Sequence, residues 1–315
     1  MIDLRNIVAV GALLASCSAA LAQYPDRPIE FIVPYGAGGG ADMGVRIAQP
    51  YLEACLGQDI VVVNMPGAGG VVGMTELAAR EPDGYTLGSL LTPNLPVGAI
   101  ATDDPPYGVD SFEYLANFVA SRVAVSANRQ GRFESLEDLI ETARNEPIQA
   151  AISSLGNDDH LLLLQLAEQA GITLEFIPMV ESPAARNAVM GGHVEILGLS
   201  VTESANFDDQ LRTLAVAGTE RFPALPDVPT FMEEDYDLVA GNTFLMGAPA
   251  GLPDDIHATL DRCFQEVAGN PEYRREIEER NLIYVPMDAE AADAFVRSEF
   301  TKLERLWQSD PWIEP

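Results

Sequence analysis

Four short segments of this chain carry residue types suited to holding an anion, and each follows an apolar run. The first is Pro34-Tyr35-Gly36-Ala37-Gly38-Gly39-Gly40-Ala41-Asp42. Glycine lets the backbone turn sharply and approach a ligand closely. A helix opening at that point presents unpaired N–H groups and the positive end of its dipole, an anion site that needs no basic side chain. Tyr35, Gly36, Ala37, Gly38, Gly39, Gly40 and Ala41 are therefore candidate ligand contacts. Asp42 reads either as a helix N-cap or as a partner for a ligand hydroxyl or ammonium. The second segment, Asn64-Met65-Pro66-Gly67-Ala68-Gly69-Gly70, repeats the strand–glycine–helix order, although tight packing of a helix on a sheet would select the same glycines. The third is Thr92-Pro93-Asn94, with Thr92 and Asn94 as candidates. The fourth runs from Ser153 to His160; Ser153, Ser154, Gly156, Asn157, Asp158 and His160 could clasp a carboxylate from the opposite side, or simply form a capped turn.

Other chemistries find less support. The first glycine run loosely fits a dinucleotide fingerprint, but Asn64 stands where that motif expects an acid. There is no G-x-S-x-G elbow and no H-E-x-x-H, and His160, His193 and His257 are scattered. No metal and no cofactor are expected. A Ser–His pair built on His160 is the remaining enzymatic reading, that of an exported hydrolase.

The elements that must position these segments alternate. Ile29–Val33 reads as a buried strand, 42–56 as a helix closed by Gly57, Ile60–Val63 as a strand, the stretch to Arg80 as a helix, and Tyr85–Leu91 as a strand. A Pro-rich stretch spans Pro93 to Pro106. Phe118–Val125 then reads as a strand crossing into a second domain, and Phe244–Ala248 as the return. Between them strands at 149–153, 174–178, 194–199 and 211–216 alternate with helices at 136–144, 160–170 and 184–190, and three helices from Asp254 to Trp307 close the chain. This order predicts an α/β protein of two domains, 23–120 plus 245–315 and 121–244, each with a central, mainly parallel sheet flanked by helices. All four candidate segments fall at carboxyl ends of strands, where open α/β sheets bind ligands, so two facing sheets would set them on opposite walls of one cleft.

Composition narrows the partners. With 18 Lys and Arg against 48 Asp and Glu, the net charge of −30 disfavours nucleic acid and anionic membranes. Arg5, the apolar run Ile7–Ala15 and Ala20-Leu21-Ala22 form a secretory signal, which predicts removal of 1–22 and a periplasmic location. Leu14-Ala15-Ser16-Cys17 also fits a lipobox, which would anchor the chain at Cys17 instead. Cys55 and Cys263 remain after cleavage; in an oxidising compartment they form either one disulfide or two separate buried thiols.

Several ordered motifs carry a family likeness. Tyr24-Pro25-Asp26-Arg27-Pro28-Ile29, Ile32-Val33-Pro34-Tyr35 and Gly38-Gly39-Gly40-Ala41-Asp42 resemble the start of the tripartite tricarboxylate transporter receptors, the Bug-type periplasmic binding proteins. Val62 to Gly70, Glu81-Pro82-Asp83-Gly84-Tyr85-Thr86-Leu87, Gly191-Gly192-His193-Val194-Glu195, Leu225-Pro226-Asp227-Val228-Pro229-Thr230 and Ala248-Pro249-Ala250-Gly251-Leu252-Pro253 continue the resemblance through the mature chain. It implies a type II periplasmic-binding fold that closes on its ligand, a carboxylate held between the first glycine loop and the second-domain loop, and delivery to a two-component membrane permease. A monomeric binding protein without catalytic activity is expected. Departures fall in the pocket: Gly36-Ala37 replace the family's Ala-Pro, only Gly156 and His160 survive of the glycine–serine pattern in the second-domain loop, Met179-Val180 replace Tyr-Lys, and Thr243 replaces a Trp. Asn157-Asp158-Asp159 stand inside that altered loop, so the expected mono- or dicarboxylate could also bear an amino group that Asp158 or Asp159 receives. A sensor passing its loaded form to a signalling partner would use the same residues.

Overall fold

The computed structural model describes residues 24–100 and 104–309. The export segment 1–22, its cleavage site and Cys17 lie outside the described residues. Strand β1 (Ile29–Val33) is buried along nearly its whole length, as an unbroken apolar run requires, and lies parallel to β2 (Ile60–Asn64) and β3 (Thr86–Thr92) on its two sides. Helix α1 (Gly40–Leu56) buries Ala41, Val45, Ala48, Leu52 and Leu56, which fall three or four residues apart on one face. It ends at Gly57, where φ is 70° and the N–H returns to Glu53 O. Helices α2 (Val71–Ala78) and α3 (Asn94–Ile100) follow β2 and β3. The Pro-rich stretch thus begins as a helix: Pro96 sits in its first turn, where a missing N–H breaks no intrahelical bond.

The chain leaves the first sheet through β4 (Phe112–Ala120) and returns through β10 (Thr243–Pro249), with β11 (Ile283–Met287) on the far edge; the order is β11-β4-β10-β3-β1-β2. The second sheet is ordered β7-β6-β8-β5-β9, from β5 (Val123–Asn128), β6 (Ile148–Ile152), β7 (Leu174–Pro178), β8 (Ile196–Ser200) and β9 (Leu211–Val216). Its helices are α4 (Leu136–Ala143), α5 (Asp158–Ala170), α6 (Glu181–Met190) and α7 (Val201–Asn206).

The sheets are mixed rather than mainly parallel. In the first, β10 is antiparallel to β3 and β4, and β11 to β4; in the second, β5 is antiparallel to β8 and β9. For β10 and β5 the cause is the crossing itself. A strand leaving a domain and a neighbour re-entering it must run in opposite senses, and β5 carries the outgoing direction into the second sheet. Local strand–helix alternation does not register that reversal.

Helices cover both faces of the first sheet. α1, α8 (Asp254–Ala268) and α9 (Pro271–Glu279) pack on one side, while α2, α3 and α10 (Ala289–Ser309) pack on the other. Phe118 of β4 packs against Phe264 and Tyr273, with ring centroids 5.9 and 5.3 Å away. Each such fully buried side chain contributes about 1.5–3 kcal/mol, so the C-terminal helices are integral to the first domain. Cys55, near the end of α1, is bonded to Cys263 of α8, with S–S 2.08 Å and Cα–Cα 5.6 Å.

Between the domains the two crossing strands remain paired. Ser121 N–H donates to Asn242 O at 2.8 Å and Asn242 N–H to Ser121 O at 3.1 Å. A Cβ on Gly241 would lie 2.0 Å from Ser121 O, so no other residue fits between them. The strand expected to run unbroken from Phe118 to Val125 is interrupted here, at Ser121-Arg122.

Candidate functional site

The glycine corner opens α1 beside the second domain. Gly39 is the N-cap of α1 and supplies no side chain, so the first N–H groups of the helix have no side-chain acceptor. Facing it, α5 opens at Asp158 with Asn157 as N-cap, and α6 opens at Glu181 behind Val180, whose side chain cannot cap. The domains meet across this gap. Asn94 donates Nδ2–H bonds to Gly69 O in its own domain (3.1 Å) and to Asn157 Oδ1 in the other (2.5 Å). Gly69 has φ 65°, and a Cβ there would sit 2.9 Å from Ser154 Oγ. The second glycine segment therefore serves domain contact and packing: a Cβ on Gly73, two residues into α2, would also meet Pro34 Cα at 2.7 Å.

A cavity of about 70 Å³ lies between these walls. Of the candidates read from sequence, Tyr35, Gly36, Gly39, Gly40, Ala41, Asn94, Ser153, Asn157 and Asp158 line it. The others stand apart. Ala37 and Gly38 are exposed on the outer turn. Asp42 is not the N-cap and does not line the cavity: its Oδ2 accepts Gly38 N–H at 2.9 Å, Oδ1 accepts Asn64 Nδ2–H at 2.9 Å, and both oxygens receive Arg46 Nε. Burial works to raise the pKa of Asp42, but these donors, Arg46 foremost, outweigh it and hold the carboxyl below its usual range. Thr92 is buried at the end of β3, opposite Thr243. Gly156 makes a turn with φ 79°. Ser154 Oγ is buried without a partner, outside the wall. His160 faces the core: its Nδ1 accepts Gly156 N–H at 3.0 Å, its ring packs on Phe176, and burial lowers its pKa to about 4, which keeps it neutral.

The structure adds wall residues that the sequence reading does not nominate: Leu91, Ser182, Pro183, Gly198, Leu199, Ser200, Glu203, Asn242 and Phe244. Asp159, named from sequence as an alternative to Asp158, lines the wall as well. Ser200 and Glu203 carry a usable signal, because a serine three residues before a glutamate marks a helix start just after β8. Gly198 is required by packing, since a Cβ there would meet Asp159 Cβ at 2.7 Å. Ser153 is less available to a ligand than its position suggests. Its hydroxyl accepts Asn157 Nδ2–H at 2.8 Å and is hydrogen-bonded to Asp159.

No Lys, Arg or His is among the described residues of the wall, whereas Asp158, Asp159 and Glu203 all are. Arg186 ion-pairs with Glu203 at 2.7 Å from behind. Burial raises the pKa of Asp158 to about 6 and of Asp159 to about 7, the latter also through its neighbour's charge. Glu203 is raised by burial too, against the pull of Arg186.

A family model described as "Tripartite tricarboxylate transporter family receptor" matches residues 45–310. This chain belongs to that receptor family. Like this receptor in sequence is a UPF0065 protein of Bordetella bronchiseptica, 30% identical over 317 residues, which span 97% of this chain and 92% of that one. Among solved structures, the periplasmic binding protein BugD matches with a TM-score of 0.83 and 26% identity, over 91% of this chain and 98% of its own. An R. palustris protein solved with adipate matches with a TM-score of 0.85 over 91% and 98%; at 22% identity that likeness is one of fold.

The carboxyls give the receptor a pH signature. A carboxyl whose pKa is higher folded than unfolded takes up a proton on folding, so its stabilising contribution is lost as pH rises through the folded value. His160 acts in the opposite sense, because its unfolded imidazole is half protonated at about 6.5 and loses the rest of its proton by about 7.5. From pH 6.5 to 8 the carboxyls outweigh His160, and the ligand-free receptor is expected to lose about 0.5 kcal/mol of stability. Denaturant melts at constant ionic strength measure this; a flat profile would mean that all three groups are ionised throughout.

Proposed function

We propose that this receptor captures a small carboxylate in the interdomain cavity and delivers it, outside the cytoplasmic membrane, to a two-component permease of the tripartite tricarboxylate type. The observation that carries this reading is the uncapped start of α1, lined by Gly39, Gly40 and Ala41, opposite the start of α6 with Ser182. Main-chain N–H groups and helix dipoles converge there on a space without a cation, and such an arrangement accepts a carboxylate. The adipate held by the R. palustris protein of like fold is an acid of the same class. Residues 1–22 serve as the export signal in this reading, and no described helix is long and apolar enough to cross a membrane.

Thermal melts of the purified receptor against short mono- and dicarboxylates, amino acids and their carboxamides test the proposal. At a hundredfold excess over Kd, a true ligand adds about 2.7 kcal/mol. The acids are expected to raise Tm by several degrees and the matched amides to have no effect. Equal shifts from acids and amides would sink the carboxylate assignment, and recovery of a chemically altered ligand would sink the receptor reading in favour of an enzyme.

A further inference from the structure

The cavity wall away from the glycine corner holds an excess of hydrogen-bond acceptors. Asp158 is 7% exposed and receives one side-chain donor, Asn242 Nδ2–H at 2.7 Å, beside the N–H groups of Asp158 and Asp159 at its own helix start. Glu203 is 4% exposed and faces Arg186 with one oxygen and Ser200 Oγ with the other, at 2.7 and 3.3 Å. Asp159 is engaged by the N–H groups of Ser153 and His160, at 2.6 and 3.0 Å. Beyond the carboxyls, two amide oxygens in the lining, Asn94 Oδ1 and Asn242 Oδ1, are buried with no partner. Asn94 is itself 4% exposed, and its orientation is fixed: its nitrogen donates to two acceptors, Gly69 O and Asn157 Oδ1, which leaves the oxygen as an acceptor.

Magnitudes separate a structural role from a binding role. An acid in the first turn of an exposed helix gains only a modest stabilisation from the dipole. Burying a carboxylate costs several times that gain, and each unpaired buried acceptor adds a further penalty at least as large as the gain. Helix capping is too weak to offset such a group of acceptors, whereas a guest that brings donors and positive charge offsets it directly. A second carboxylate from a plain dicarboxylate would add to the imbalance.

On the reading that the glycine corner holds a carboxylate, we infer that the ligand also carries a cationic nitrogen, an ammonium or guanidinium, received by Asp158 together with the amide oxygens of Asn94 and Asn242. Glu203, already balanced by Arg186, adds long-range attraction. The ligand class is thus a short amino or guanidino acid.

Calorimetric titration of the intact mature receptor with pairs of equal methylene count decides the matter: succinate with 3-aminopropanoate, glutarate with 4-aminobutanoate, adipate with 5-aminopentanoate, plus α-amino acids of the same lengths and 4-guanidinobutanoate. At least one nitrogenous acid is expected to bind tenfold or more tightly than its dicarboxylate. Asp158→Asn is expected to weaken that ligand at least tenfold without weakening the dicarboxylate. Tighter binding of the dicarboxylate in every pair overturns the inference and leaves the carboxylate reading intact; because it uses the unaltered protein, it holds even if the variant folds poorly. A folded Asp158→Asn that binds the nitrogenous acid normally also overturns it. If 4-aminobutanamide matches 4-aminobutanoate, the nitrogen site stands and the carboxylate reading fails. Binding by no member of either class overturns both.

Discussion

Replacing Gly39 with aspartate is expected to weaken ligand binding at least a hundredfold while leaving the fold intact. Gly39 has φ −80° and ψ 171°, an extended conformation open to any residue, and a Cβ there would meet nothing nearer than Gly36 O at 3.4 Å. Aspartate is among the best N-caps, and its carboxylate would occupy the N–H groups that the ligand is proposed to use. The gain over glycine is only a few tenths of a kcal/mol, and repulsion from the acidic wall opposes it, so Tm should move by no more than a few degrees. Asparagine at the same position caps the same groups without charge and should give an intermediate loss, while Gly39→Ala should bind within about threefold of the parent, having no side chain with which to cap. Calorimetry on the three variants provides the measurement, and undiminished binding by Gly39→Asp would show that the α1 corner holds no anion.

Opening the Cys55–Cys263 bridge should have the largest effect on stability and almost none on recognition. The bonded residues are separated by 208 positions, so the closed loop takes in most of the chain. Chain-entropy arguments assign such a loop about 5 kcal/mol, which corresponds to a fall of roughly 10 °C in Tm. Neither cysteine lines the cavity, and the bridge ties the C-terminal end of α1 to α8, whereas the cavity meets the opposite end of α1. A Cys55→Ala, Cys263→Ala protein should therefore bind its ligand within about threefold of the parent at 25 °C. Melts with and without reductant, set beside titrations, check both halves; a Tm change under about 2 °C would show that the bridge does not constrain the unfolded chain.

The glycine corner was legible because β1, the glycines and α1 lie together in sequence, and each follows local rules: an apolar run, residues free to turn, and a three-to-four spacing closed by Gly57. The opposite wall was legible only in part. Asn157 and Asp158 announce a helix start, but that the side chain of His160 turns inward toward Phe176 depends on packing from another element. Glu203 and Ser200 enter the cavity because β8 is an inner strand of the second sheet, and no local pattern states strand order. Edge strand β11 escaped notice for a related reason. Its five residues are only half buried and include Pro286, which an edge tolerates and a sequence pattern reads as loop. The mixed character of both sheets is likewise a property of the path between domains and of no single stretch of chain.

The paired crossing has a mechanical consequence. Two separate linkers would let the lobes swing, slide and twist independently. Here Ser121 and Asn242 lock the two passages into one ribbon, and Gly241 brings them too close for either to slip past the other. A ribbon of that kind bends across its flat face far more readily than it shears, which leaves the lobes one soft direction of travel. The aim of the first lobe at the second is therefore set at this pivot, which also reaches the cavity wall through Asn242.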